Sequence, residues 1–265
     1  MKSLFSLFAL LLIAQCSFAQ FRNASFINQR YTLFNVANTG MDGNQINSSV
    51  GIHYNGRLTT ALLFEHGIGK SNFAIGGSSV NYFGPNNNSV DLDLHSSYKI
   101  GLRKHRQLSF GLGFGHGNRE IYFPSQFHYI KGMSLRLGST YKGERLKIGV
   151  ESSTSYNYTY EQYFNYLQIF YGHKIVDKEN FDFSVLLLFD SNYSFNNLNL
   201  ELEFLLKDSY EIIAGKNNYR GYYLGFNYFM NEQVAINLSA NIPRNTLFSH
   251  SILGNDFQIG LQLKL

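Results

Sequence analysis

From about residue 45 onward the chain alternates between apolar and polar positions. In "SVDLDLHSSYKIGLR", Val90, Leu92, Leu94, Tyr98, Ile100 and Leu102 fall on one face, and Asp91, Asp93, His95, Ser97, Lys99 and Arg103 on the other. "QLSFGLGF" sets Leu108, Phe110, Leu112 and Phe114 against Ser109, Gly111 and Gly113. "LNLELEF", "GYYLGFNYF" and "QVAINLSANI" repeat the pattern. Side chains alternate faces along an extended backbone, so each segment reads as a two-faced strand. The alternation runs to the last residue, in "FQIGLQLKL".

Length separates two all-β readings. Strands of a soluble sandwich run about five or six residues. These alternations persist for about nine to eleven, as a tilted strand crossing a bilayer requires. The polar faces carry Asp91, Asp93, Glu201 and Glu203, which suit a polar lumen. The apolar faces carry Leu and Phe, which suit lipid. The reading is a transmembrane antiparallel β-barrel of about fourteen strands, or twelve if two weak segments are loops. The strands fall near 45–55, 58–66, 71–82, 88–102, 106–118, 130–142, 144–154, 163–175, 180–191, 195–206, 208–217, 219–230, 232–242 and 251–265. The last would close the sheet against the first, because no edge can stay unpaired in lipid.

Connections should alternate between tight periplasmic turns and longer outer loops. "KGER", "DKEN", "KDS" and "MNEQ" form the tight set, and "REIYFPSQFHY", "SYNYTYEQY" and "PRNTLFSHSILGN" the long set. "GRL" after the first strand is short for this scheme. The outer loops around Tyr122–Tyr129, Tyr156–Tyr163 and Pro243–Leu253 are candidate contact surfaces, their aromatic content suiting protein recognition. Equally, those aromatics could simply line the membrane interface.

The N-terminus differs. "MKSLFSLFALLLIAQCSFAQ" has Lys2, an apolar run to Ala14, and small Ser17 and Ala19 before Gln20. This is a secretory signal over 1–19, cleaved near Ala19/Gln20. Gln15 before Cys16 is not the small residue a lipoprotein signal needs. Cleavage removes the only cysteine, and with it any disulfide, thiol nucleophile or thiolate metal site. Residues 20–44 then form a non-alternating periplasmic or lumenal segment, and 45–265 the outer-membrane barrel.

Composition agrees. There are 19 Tyr, 24 Phe, no Trp and only three Pro. Tyr must carry any interfacial girdle. The formal net charge of +4 falls to +3 without Lys2, and the basic residues are scattered, so nothing marks a nucleic-acid surface.

Candidate chemistry is sparse. "GLGFGHGN" lacks the strand–loop–helix context of a phosphate loop, and its glycines more simply make room in a lumen. Eight histidines show no close ligand spacing. Ser96 beside His95 points to the opposite face, so an outer-membrane hydrolase would need Ser and His on neighbouring strands. Asp91 and Asp93 read as lumen lining. No catalytic, metal or cofactor site is expected.

The segment "ASFINQRYTLFNVANTGMDG" resembles the N-terminal signature of the PorP/SprF family, outer-membrane proteins associated with type IX secretion in Bacteroidota. That family's Asn-Pro-Ala-Tyr-Ala-Gly-like motif corresponds here to "NVANTG": Asn35, Ala37 and Gly40 match, while Val36 replaces proline and Asn38 an aromatic. In "IHYNGR" the family's next motif keeps Tyr54. The order of later strands and the "FAQ" signal ending are also similar. The resemblance implies a non-enzymatic outer-membrane barrel, without cofactor. It would support type IX secretion and surface attachment of a large adhesin-like protein with a C-terminal sorting domain. Other secretion components are possible partners. The alternative is a diffusion channel or transporter for a small solute.

Overall fold

The computed structural model describes residues 35–265 except 42, 54–57, 70, 85–86, 103–105, 124–125, 193–194, 208, 218–220 and 243–255. Fourteen antiparallel strands form one closed barrel. They are β1 (Gln45–His53), β2 (Leu58–Gly67), β3 (Phe73–Phe83), β4 (Asn87–Leu102), β5 (Arg106–Phe123), β6 (Gln126–Lys142) and β7 (Leu146–Asn157). Then follow β8 (Gln162–Lys178), β9 (Phe181–Asn192), β10 (Phe195–Leu206), β11 (Tyr210–Asn217), β12 (Gly221–Phe229), β13 (Val234–Ile242) and β14 (Asp256–Lys264). Each strand pairs with its sequence neighbours, and β14 pairs with β1 from Gln45↔Lys264 to His53↔Asp256.

The terminal alternation has a direct use. Phe257 and Ile259 are 64% and 56% exposed on the outside, whereas Gln258 is 6% exposed and faces inward. Closure satisfies the backbone of both end strands, and the Leu265 amide continues the ladder onto the Asn44 carbonyl at 2.9 Å. The outer surface of the other strands is the same: Leu94, Phe114, Leu137 and Leu224 stand exposed in a continuous apolar belt.

The inside is polar and packed. At one level the buried inward residues make a full circuit, running from Asn47 and Glu65 through His95, Arg136, Glu151 and Gln168 to Glu201, Asn227 and Gln262. Phe170, Leu186 and Leu188 add a small apolar cluster.

Two features differ from the sequence reading. The stretch "REIYFPSQFHY" is not a long loop: β5 continues to Phe123 and β6 begins at Gln126, paired throughout. Likewise β7 runs to Asn157, and only 158–161 form a turn before β8. The wall is therefore tall at β4–β8, with strands of up to 18 residues, and low at β11–β14, with eight or nine. The weaker alternative of twelve strands is replaced by fourteen. A bulge between Lys174 and Val176 shifts the β8–β9 register near its end. The signal segment 1–19 and the loop Pro243–Leu253 lie outside the described residues, as does Tyr54.

Candidate functional site

The residues that carry the family-like motif sit inside the barrel. Asn35 precedes a single 3₁₀ turn, Val36–Asn38, which packs against β4, β5 and β6 with no exposed surface at Val36 or Ala37. Gly111, Gly113, Gly138 and Gly149, on β5, β6 and β7, face it. A Cβ on Gly111 would overlap the Val36–Ala37 backbone, and one on Gly113 would come within 2.8 Å of Val36 Cγ1. One on Gly138 would overlap the Asn35 amide oxygen, and one on Gly149 would come within 2.8 Å of the Asn35 amide nitrogen. The alternate-position glycines thus make room in the lumen, and what fills that room is the chain's own N-terminal segment.

Asn35 organises the turn. Its side-chain oxygen accepts from the Ala37 amide at 2.9 Å. Its side-chain nitrogen donates to the carbonyls of Ser139 and Val150, each at 3.1 Å, on neighbouring strands β6 and β7. An extended cap residue with a side-chain acceptor is the ordinary way to begin a helical turn.

Two buried carboxylates take further backbone donors. Glu151 accepts from the Val36 amide at 2.7 Å and binds Arg136 through two nitrogens, at 2.6 and 3.0 Å. Arg136 and Glu151 are 0% and 1% exposed. Glu65 accepts from the Gly40 amide at 3.0 Å and from Gln45 Nε2 at 2.8 Å. The amides of Asn38, Thr39 and Met41 bond to carbonyls within the turn. Every backbone N–H from Val36 to Met41 therefore has an acceptor, as a segment sealed from water requires.

The far side of the turn is held by β4. Ser97 donates to the Thr39 carbonyl at 2.8 Å, and Lys99 Nζ donates to the Gly40 carbonyl. The Thr39 hydroxyl donates to the Val36 carbonyl at 2.7 Å, which spends its one proton. Its 2.8 Å contact with His95 Nδ1 must then have the imidazole as donor. Gly40 has φ +62, and a Cβ there would lie 2.6 Å from that of Ala74.

Of the sequence candidates, Asn35, Ala37 and Gly40 come together in this plug, joined by His95 and the lumenal glycines. Asp91 and Asp93 lie elsewhere in the lumen, over Gly117 and Gly115, beside a cavity of ≈ 60 Å³ also lined by Ser134, Ser153 and Tyr166. Among the described residues no grouping of three His, Cys, Asp or Glu suits a metal. The sequence reading missed Glu65, Arg136 and Glu151. Its available signal was a lone charge on the lumenal phase of an otherwise small-residue strand, as in "SLRLGS" and "IGVESS".

No family model matches the chain, and no curated protein does. Solved outer-membrane barrels do. Omp33 of Acinetobacter baumannii aligns over 84% of this chain and 97% of its own, with TM-score 0.53 and 8% identity. The KdgM porin (TM-score 0.46, 9% identity, 83% and 99% covered) and the CymD monoaromatic hydrocarbon channel (0.47, 10%, 84% and 88%) are more remote. At such identities the likeness to Omp33 is one of fold: this chain has the closed β-barrel fold of an outer-membrane protein.

Proposed function

We propose that the barrel is a gated outer-membrane passage for a small polar solute, held shut by the segment Asn35–Gly40. One observation carries this reading: the plug, beside its buried Val36 and Ala37, is fixed by hydrogen bonds to polar side chains and backbone carbonyls of the wall. A net hydrogen bond is worth about 1 kcal/mol, and one to a charged group about 1.5–3 kcal/mol. Each can be exchanged for a bond to water or to a hydroxyl, amide or amine of a solute. Such a block is displaceable one contact at a time. The carboxylates, Arg136 and hydroxyls it leaves behind are a lining for polar cargo.

Planar-bilayer recording tests it. Wild type should be shut or flicker briefly, and a barrel lacking 35–41 should conduct steadily. A deletion variant that folds, by its heat-modifiable gel mobility, yet never conducts would sink the proposal.

A second reading has its own observation. The motif shared with the PorP/SprF signature, Asn35, Ala37 and Gly40, is the part built into the lumen. A barrel stopped in this way can serve as a non-enzymatic anchor whose outer rim holds a secreted surface protein with a C-terminal sorting domain. Gentle extraction with a tag on an outer turn, then mass spectrometry, separates the two. Such a protein at near-equal abundance supports the anchor. A barrel recovered alone after crosslinking favours the passage.

A further inference from the structure

On the lipid-facing surface over β2–β5 a groove of ≈ 540 Å³ dips to the backbone. Its floor is Gly77, with the edge of the Phe64 ring leaning over it. Leu92, Leu94 and Phe114, all largely exposed, form its walls, Ser79 lies beside its floor, and His116 stands at its rim.

The rim coincides with the edge of the apolar belt. The outward row of β5 runs Leu108, Phe110, Leu112 and Phe114, and then turns polar at His116 and Asn118. On β6 the outward row Leu137, Leu135 and Met133 turns polar at Lys131, which pairs across from Asn118. Tyr156, opposite Met133, meets the Tyr163 ring in a tilted contact at 4.8 Å at the same level, as girdle residues do at headgroup depth. Lys131 is fixed there by its neighbours: its amide donates to Thr159 Oγ1 at 3.4 Å and its carbonyl accepts from the Tyr158 amide at 2.9 Å.

We propose that this groove binds one anionic lipid of the outer leaflet, its acyl chain along Gly77, Leu94 and Phe114 and its phosphate against His116 and Lys131. Position decides the occupant. Below the rim the surrounding medium is hydrocarbon, and a chain-wide slot there takes a chain. Above it, two basic side chains face headgroup level. Beside His116 the outward neighbours are Leu92, Met133 and Tyr156, and beside Lys131 they are Asn118 and Val90, none of them charged, so the two basic side chains suit a phosphate. The proposal is independent of whether the lumen conducts.

Native mass spectrometry of the refolded barrel, titrated separately with phosphatidylglycerol and phosphatidylcholine, tests it. Wild type should keep one phosphatidylglycerol molecule in preference to phosphatidylcholine. Ser79→Trp, which fills the slot from the lipid side, should lose that adduct with either lipid. His116→Gln with Lys131→Gln should cut the anionic preference about fivefold, given roughly 1 kcal/mol for a lysine such as Lys131 near a membrane surface. Retention of the adduct by Ser79→Trp, or an unchanged preference in the double variant, would overturn the assignment. So would a dimer that excludes lipid from the groove. Heat-modifiable mobility checks that each variant is folded.

Discussion

Glu151 gathers three donors, the Val36 amide and two nitrogens of Arg136, where no water reaches. Removing one partner of such a pair leaves the other charged and buried, at a cost of about 3–5 kcal/mol. We therefore expect Glu151→Met to lower the unfolding free energy of the lipid-refolded barrel, measured by urea titration, by that much. Arg136→Met combined with Glu151→Met should cost clearly less than the two single changes added together, because no lone charge remains. Additive losses would mean that the pair is not coupled. Gly40→Ala should cost about 1–3 kcal/mol from its left-handed backbone, with more from the Ala74 overlap, and should expose the plug to protease. At this scale the sequence was half legible. Asn35, Ala37 and Gly40 stand in a recognisable string. Arg136 and Glu151 look like any other lumenal polar residue, because what distinguishes them is each other, on the next strand, and for Glu151 the Val36 amide 115 positions away in the chain.

At the scale of strands, period two was a sufficient guide wherever lipid lies on one side and polar groups on the other. β10 is found at 195–206 as its alternation predicts, and the C-terminal run closes the barrel. The guide failed at the outer halves of β5 and β6. There "REIYFPSQFHY" carries no period-two contrast, so the sequence reads as loop, although the ladder continues to Phe123↔Gln126. The same reasoning sets a depth dependence. Leu135→Arg, in the belt, should cost about 2–4 kcal/mol, and Asn88→Arg, outward but above it, about 0–1 kcal/mol. Equal urea midpoints for the two variants would place the belt wrongly.

On the scale of the molecule, the plug and the closing pair of strands are one construction. Gly40 bonds to Glu65, Glu65 to Gln45 on β1, and Gln45 to Gln262 on β14, the last link at 2.7 Å. The segment seated in the lumen is therefore also linked to the first strand and, through it, to the last. The consequence concerns timing. A segment linked to both end strands can align them before the ring shuts, so we expect Asn35–Gly40 to be seated on the glycines of β5–β7 before β14 meets β1. The plug is then a template for biogenesis as well as a stopper. Gln262→Ala and Gly138→Leu should each slow the appearance of the heat-resistant form in a pulse-labelled refolding time course, the second before any effect on the finished barrel can be measured. Wild-type kinetics in Gly138→Leu would mean that the ring shuts first and is filled later.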